Sequence, residues 1–219
     1  MRYAYRLGKA MMLPVACLPV AGILLGIGYW LMAYGDGSHP FFAQLMLQAG
    51  SVLLNHMSLL FAMGVAAGLA DEQDGTATLA AVAAWSLIQN VLTVRNVTIL
   101  TGGRVDASAF YHIDNQMIGI FCGILGAYCN NTYRKERQNK GIWRVSVSGR
   151  RIVIIAAFFY AMICALILLV VWPYFYHASV YIGTSLLDTK AVGAGIYMFL
   201  NRLLIPTGFH HALNSVFWF

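Results

Sequence analysis

The stretch Ile152-Val-Ile-Ile-Ala-Ala-Phe-Phe-Tyr-Ala-Met-Ile-Cys-Ala-Leu-Ile-Leu-Leu-Val-Val-Trp172 carries no charged side chain over 21 residues. A helix of about 20 apolar residues covers the roughly 30 Å hydrocarbon core of a bilayer, so this stretch predicts a membrane crossing. The rest of the chain has the same character. Of 219 residues, 60% are hydrophobic and 10% charged, and the mean hydropathy is +0.69. A soluble core of this size cannot hide that much apolar surface, so the sequence predicts a polytopic membrane protein.

The residues just before this stretch set its orientation. Arg134, Lys135, Arg137, Lys140, Arg144, Arg150 and Arg151 make up half of the 14 Lys and Arg. They lie between two apolar segments, which is the pattern of a cytoplasmic loop. The net charge of +6 therefore reflects membrane topology, and nucleic acid is not an expected partner.

Further apolar segments lie at 11–34, 52–70, 76–94 and 115–133, giving five expected transmembrane helices in an all-α polytopic membrane protein. Arg2, Arg6 and Lys9 precede the first segment, which is too long for a signal-peptide core. It reads as a retained span with the amino terminus cytoplasmic. Pro14 and Pro19 should bend it. Gly22 and Gly26, Gly64 and Gly68, and Gly119 and Gly123 each stand four apart, a spacing that lets neighbouring helices approach closely. Asp74-Gly75-Thr76 suggests a turn and a side-chain cap, from Asp74 or Thr76, before the third span.

The cysteines, Cys17, Cys122, Cys129 and Cys164, all lie in apolar segments with no CxxC pair and no zinc-ligand spacing. They read as packing or lipid-facing residues, and no metal or cofactor is expected. Nor does the chain carry HExxH or GxxxxGK[ST].

After Trp172-Pro173 aromatic and polar residues mix, which predicts an interfacial helix in place of a further crossing. A short apolar run from about 191 to 205 then ends at Pro206-Thr207-Gly208, as a broken helix would. The expected organisation is a five-span part over 1–173 and a second part over 174–219. Arg202 and His210 flank the break, with Asn201, His211 and Asn214 nearby. Arginine offers a fork of donors to hydroxyls or phosphate, and histidine can donate, accept or exchange a proton. Arg202 could equally snorkel to an interface while the histidines satisfy backbone carbonyls.

Four segments together resemble a known family. They are Met12-Leu-Pro-Val-Ala-Cys-Leu-Pro-Val-Ala-Gly-Ile-Leu-Leu-Gly26, Leu60-Phe-Ala-Met-Gly-Val-Ala-Ala-Gly68, Thr78-Leu-Ala-Ala-Val82 and Asn201-Arg-Leu-Leu-Ile-Pro-Thr-Gly-Phe-His210. They are similar to the membrane subunit (enzyme IIC) of the glucose/N-acetylglucosamine group in the bacterial phosphoenolpyruvate-dependent phosphotransferase system. The last segment looks more like N-acetylglucosamine carriers than glucose or maltose carriers.

The resemblance implies a sugar permease of the inner membrane that moves a hexose inward as it is phosphorylated. Arg202 and His210 would contribute to the sugar site, with His211 and Asn214 as further substrate-binding candidates. It also implies a phosphorylated IIB domain, membrane lipid and a second copy of the chain, in a homodimer, as partners. The family continues past the His motif into a Gly-Ile-Thr-Glu type loop and uses a phosphocysteine domain. Neither is in this sequence, so a partial permease completed by a second half is expected. The alternative is a non-transporting remnant or interaction subunit that pairs with intact carriers.

Overall fold

The computed structural model describes residues 2–34, 40–71, 75–138, 146–189 and 191–204. Its elements are the helices α1 (Arg2–Val15), α2 (Cys17–Tyr34), α3 (Pro40–Asn55), α4 (Met57–Leu69), α5 (Thr76–Val91), α6 (Val94–Thr101), α7 (Gln116–Gln138), α8 (Ser146–Asp188) and α9 (Ala191–Leu204), with a 3-10 turn at Ala107–His112 before α7. Among the described residues there is no strand.

The first expected span is α1 and α2 in sequence, a 29-residue apolar stretch from Tyr5 to Ala33. The prolines interrupt it only at Ala16, whose N–H reaches both Met12 O and Leu13 O at 3.2 Å. Pro19 falls in the first turn of α2, where a missing N–H costs little. Arg150–Ala178 of α8 is a second 29-residue candidate.

The other spans differ from expectation. The segment expected at 52–70 is the end of a longer path, α3 followed by α4, bent by 54° at His56. The third is α5 followed by α6, bent by 64° after Val91. Two described helices are thus long and apolar enough to cross a membrane, or four when each bent pair is one crossing. The expected fourth span, α7, does not qualify by composition. It carries Gln116, Asn130 and Asn131 and packs one face against α4, α5 and α8, while Phe121, Ile124 and Tyr128 on its other face stay exposed.

Two further observations concern helix ends. The residue at the cap position of α5 is Gly75, at φ 79°, and Asp74 lies outside the described residues. The first turn is closed by Leu79 N–H on Gly75 O at 2.9 Å. A left-handed backbone suits glycine, which has no Cβ to clash. The chain also does not break at Trp172-Pro173, since α8 runs through both residues to Asp188, in place of a separate interfacial helix. Trp172 is buried, and its indole N–H donates to Ala109 O at 2.9 Å. That contact holds the helix across the proline.

The core forms where α7 meets α4 and α5. A Cβ on Gly123 would lie 2.8 Å from Ala62 O and 2.7 Å from Val65 Cβ; one on Gly126 would lie 2.7 Å from Ala77 O. At Gly119 it would run into Ser58 O. This ridge of α7 glycines permits direct backbone contact. On the far side Leu87, Ile88, Leu92, Phe110, Ile113 and Trp172 share one buried cluster. Gly22 and Gly26, by contrast, have nothing within 4 Å of an added Cβ. Gly123→Val should therefore destabilise the purified protein by about 1–3 kcal/mol through overpacking, while Gly26→Ala should leave thermal unfolding in lipid unchanged. Equal melting behaviour of the two variants would contradict this packing.

Candidate functional site

Arg202 lies in the last turn of α9, where a cation is favoured by the free carbonyls of the helix end. Its side chain is exposed. The neighbouring Asn201 has its Oδ1 buried, with no hydrogen-bond partner among the described residues. His210, His211 and Asn214 lie outside the described residues, as does the expected break at Pro206. The structure therefore locates Arg202 alone of the expected sugar-site residues. It presents Arg202 on a helix whose Val192, Ile196, Met198, Phe199 and Leu203 are also exposed.

Three polar clusters organise the rest of the protein, and the sequence reading had singled out none of them. The first ties one end of the bundle. Arg6 of α1 pairs with Asp71 at 3.3 Å and donates to Leu69 O at 3.3 Å. Asn131 of α7 donates to Leu69 O at 3.1 Å and accepts from Asp71 N–H at 3.0 Å. The frayed end of α4 is thus closed by side chains from two other helices, as unpaired helix carbonyls require.

The second cluster straps the loop before α7 to α8. Besides the Trp172 bond, His112 stacks on Tyr176 at 5.8 Å, and His177 Nε2 lies 3.2 Å from Asp106 Oδ2. Asp106 also accepts from the Ser108 hydroxyl at 2.6 Å and from the Ser108 amide at 2.9 Å. These Ser108 bonds, and more weakly the charge of His177, hold the Asp106 carboxyl below its usual 3.8.

The third joins α4, α5 and the turn into α7. Trp85 indole N–H donates to Ser58 Oγ at 2.7 Å, and the Ser58 hydroxyl donates to Asp114 Oδ1. Gln89 adds a second donor to the same oxygen at 3.1 Å. Asn115, next in sequence, caps α7 by accepting from Ile118 N–H at 3.1 Å. The one signal available in the sequence was an acid beside a capping residue at the start of an apolar run.

Two measurements test these clusters. Asn131→Ala removes both bonds at the end of α4 and should cost about 1–2 kcal/mol in thermal or denaturant unfolding. An Asp106 carboxyl held low in the folded loop contributes order that is fully present above its ordinary value of 3.8 and is lost as pH falls through the lower folded value. Hydrogen-exchange protection of the Ser108 amide should therefore stay constant down to about pH 4 and be lost progressively as pH falls further. A flat profile to the acid limit would contradict the Asp106 cap.

The family model described as "Phosphotransferase system, EIIC" matches residues 8–219. The chain is similar to the "PTS system N-acetylglucosamine-specific EIICB component" of Bacillus subtilis (strain 168). The two are 31% identical over 217 residues, which is 99% of this chain and 43% of that protein. It is likewise similar to the "PTS system N-acetylglucosamine-specific EIICBA component" of Escherichia coli (strain K12), at 32% identity over 214 residues, 98% of this chain and 30% of that one. The chain spans less than half the length of either relative. The family match over residues 8–219, together with the helical fold and its long apolar helices, makes the chain a member of the EIIC family of the phosphotransferase system.

Proposed function

We propose that the chain is part of a bacterial inner-membrane sugar permease that moves an N-acetylglucosamine-like or glucose-like hexose inward, coupled to its phosphorylation. The observation carrying this reading is the match, over 98% or more of the chain, to two components named for N-acetylglucosamine. In this reading each bent helix pair is one crossing and α7 a fifth, packed on one face against α4, α5 and α8. The amino terminus and the basic residues around 134–151 then face the cytoplasm, following the positive-inside rule.

Residues up to about 173 act as the scaffold, and α9 opens the sugar-translocating part. Arg202, His210, His211 and Asn214 supply donors and acceptors to the sugar hydroxyls. Arg202 stands on a helix with a largely uncovered apolar face, which the remaining segments of a complete carrier would cover wherever they are encoded. Phosphoryl transfer would come from a phosphorylated IIB domain. Cys122 and Cys129 are buried, so neither is open to receive a phosphoryl group from a soluble donor. A second copy of the chain and surrounding lipid complete the assembly. No observation favours the non-transporting alternative.

The test is uptake of labelled N-acetylglucosamine by cells that lack their own carrier. The chain would be expressed together with the carboxy-terminal remainder of the Bacillus subtilis component. Uptake is expected, and Arg202→Ala should lower it about 10- to 100-fold, the loss for one charge-assisted hydrogen bond. Normal membrane insertion without uptake would reject the permease reading.

A further inference from the structure

The third cluster lies at a depth where a carboxylate needs a reason. Ser58 stands two residues past the bend at His56, and Trp85 and Gln89 are in the last two turns before the bend that follows Val91. With each bent pair taken as one crossing, Asp114 is hydrogen-bonded to the middles of two crossings. The Arg6–Asp71 ion pair marks the opposite, aqueous end of α4. That helix has 13 residues, so Ser58 is about 17 Å from Leu69 along it. The hydrocarbon core is about 30 Å thick. The turn into α7 therefore brings Asp114 back from the outer side to membrane depth, where irregular backbone is tolerated only against protein or a water-filled opening.

At that depth the carboxylate is only half satisfied. Ser58 and Gln89 both donate to Oδ1, and none of the described residues donates to Oδ2. The side chain is exposed, whereas Ser58 beneath it is buried. A fixed, uncovered carboxylate oxygen inside a membrane protein marks a binding position by default. A metal cation is disfavoured, because among the described residues no three His, Cys, Asp or Glu side chains group together. What the position lacks is a donor, and a hydroxyl group supplies one. The half-buried indole of Trp85, next to Gln89 and Asp114, adds apolar surface suited to a pyranose ring.

We propose that Asp114, held by Ser58, Gln89 and Trp85, is an outward-side recognition point for a hydroxyl of the hexose, separate from the Arg202 position on α9. The proposal rests on the permease reading. Asp114 would meet the sugar as it arrives from outside, before the groups of the translocating part engage it.

The test uses the full chain in lipid nanodiscs and N-acetylglucosamine, glucose and the acyclic polyol mannitol as probes. A water-soluble carbodiimide should label Asp114, read by mass spectrometry. N-Acetylglucosamine or glucose should slow that labelling about tenfold at about ten times the dissociation constant, where roughly one site in ten is still free, and mannitol should not. Arg202→Ala should leave this protection intact. Direct binding should weaken about tenfold or more in Asp114→Ala, the loss for one charge-assisted hydrogen bond, and in Asp114→Asn if the alanine variant does not fold.

Failure of Asp114 to label, labelling indifferent to both hexoses, or equal protection by mannitol would each overturn the proposal. The cluster would then be only a tie between helices. The uptake experiment decides the permease reading independently, since a carrier can transport without this recognition point.

Discussion

Everything in this structure depends on how closely α7 can approach α4 and α5. Gly119, Gly123 and Gly126 leave no room for a side chain against Ser58, Ala62, Val65, Ala77 and Ala81. Lipid offers no hydrophobic drive to bring helices together, so short-range packing has to supply the attraction. Once α7 is seated, its ends can do polar work. Asn131 reaches the end of α4, while Asp114 and Asn115 at the other end join α5 and close the first turn of α7. The α2–α3 hairpin repeats the device on a smaller scale, with Gly28 against Leu47 and Gly50 against Leu25.

The helical membrane class, the long apolar stretches in α1–α2 and α8, and the family were legible in the sequence because each is a local or cumulative signal. The path of the chain between them was not. α3 contains Gln44, Gln48 and Ser51, which dilute its hydropathy, and its junction with α4 at Asn55-His56 has neither proline nor glycine to announce a bend. Pro173 gave the opposite error. It is a strong local stop signal, yet the helix continues, held by the bond from Trp172 to a carbonyl 63 positions away in sequence.

The candidate site was legible only as chemistry. Arg202 stood out as a charge in an apolar run, and the structure puts it on a helix end. Asp114 escaped notice because its partners Ser58 and Gln89 lie 56 and 25 positions away. Nothing in its own neighbourhood distinguishes it from a loop acid.

The two bends carry a consequence for the lipid around the protein. An unbroken helix such as the 29-residue stretch of α8 meets a thicker or thinner bilayer mainly by tilting or by deforming the lipid, at fractions of a kcal/mol per Å of mismatch. In the proposed arrangement with each bent pair as one crossing, the paths through His56 and through Leu92-Thr93 have another response, because opening or closing a bend of 54° or 64° would change their vertical reach without moving the packed halves on α7. In that arrangement the bundle would keep its inner contacts fixed while its outer arms follow the membrane, and bilayer thickness would act on α3 and α6 before it acts on the core.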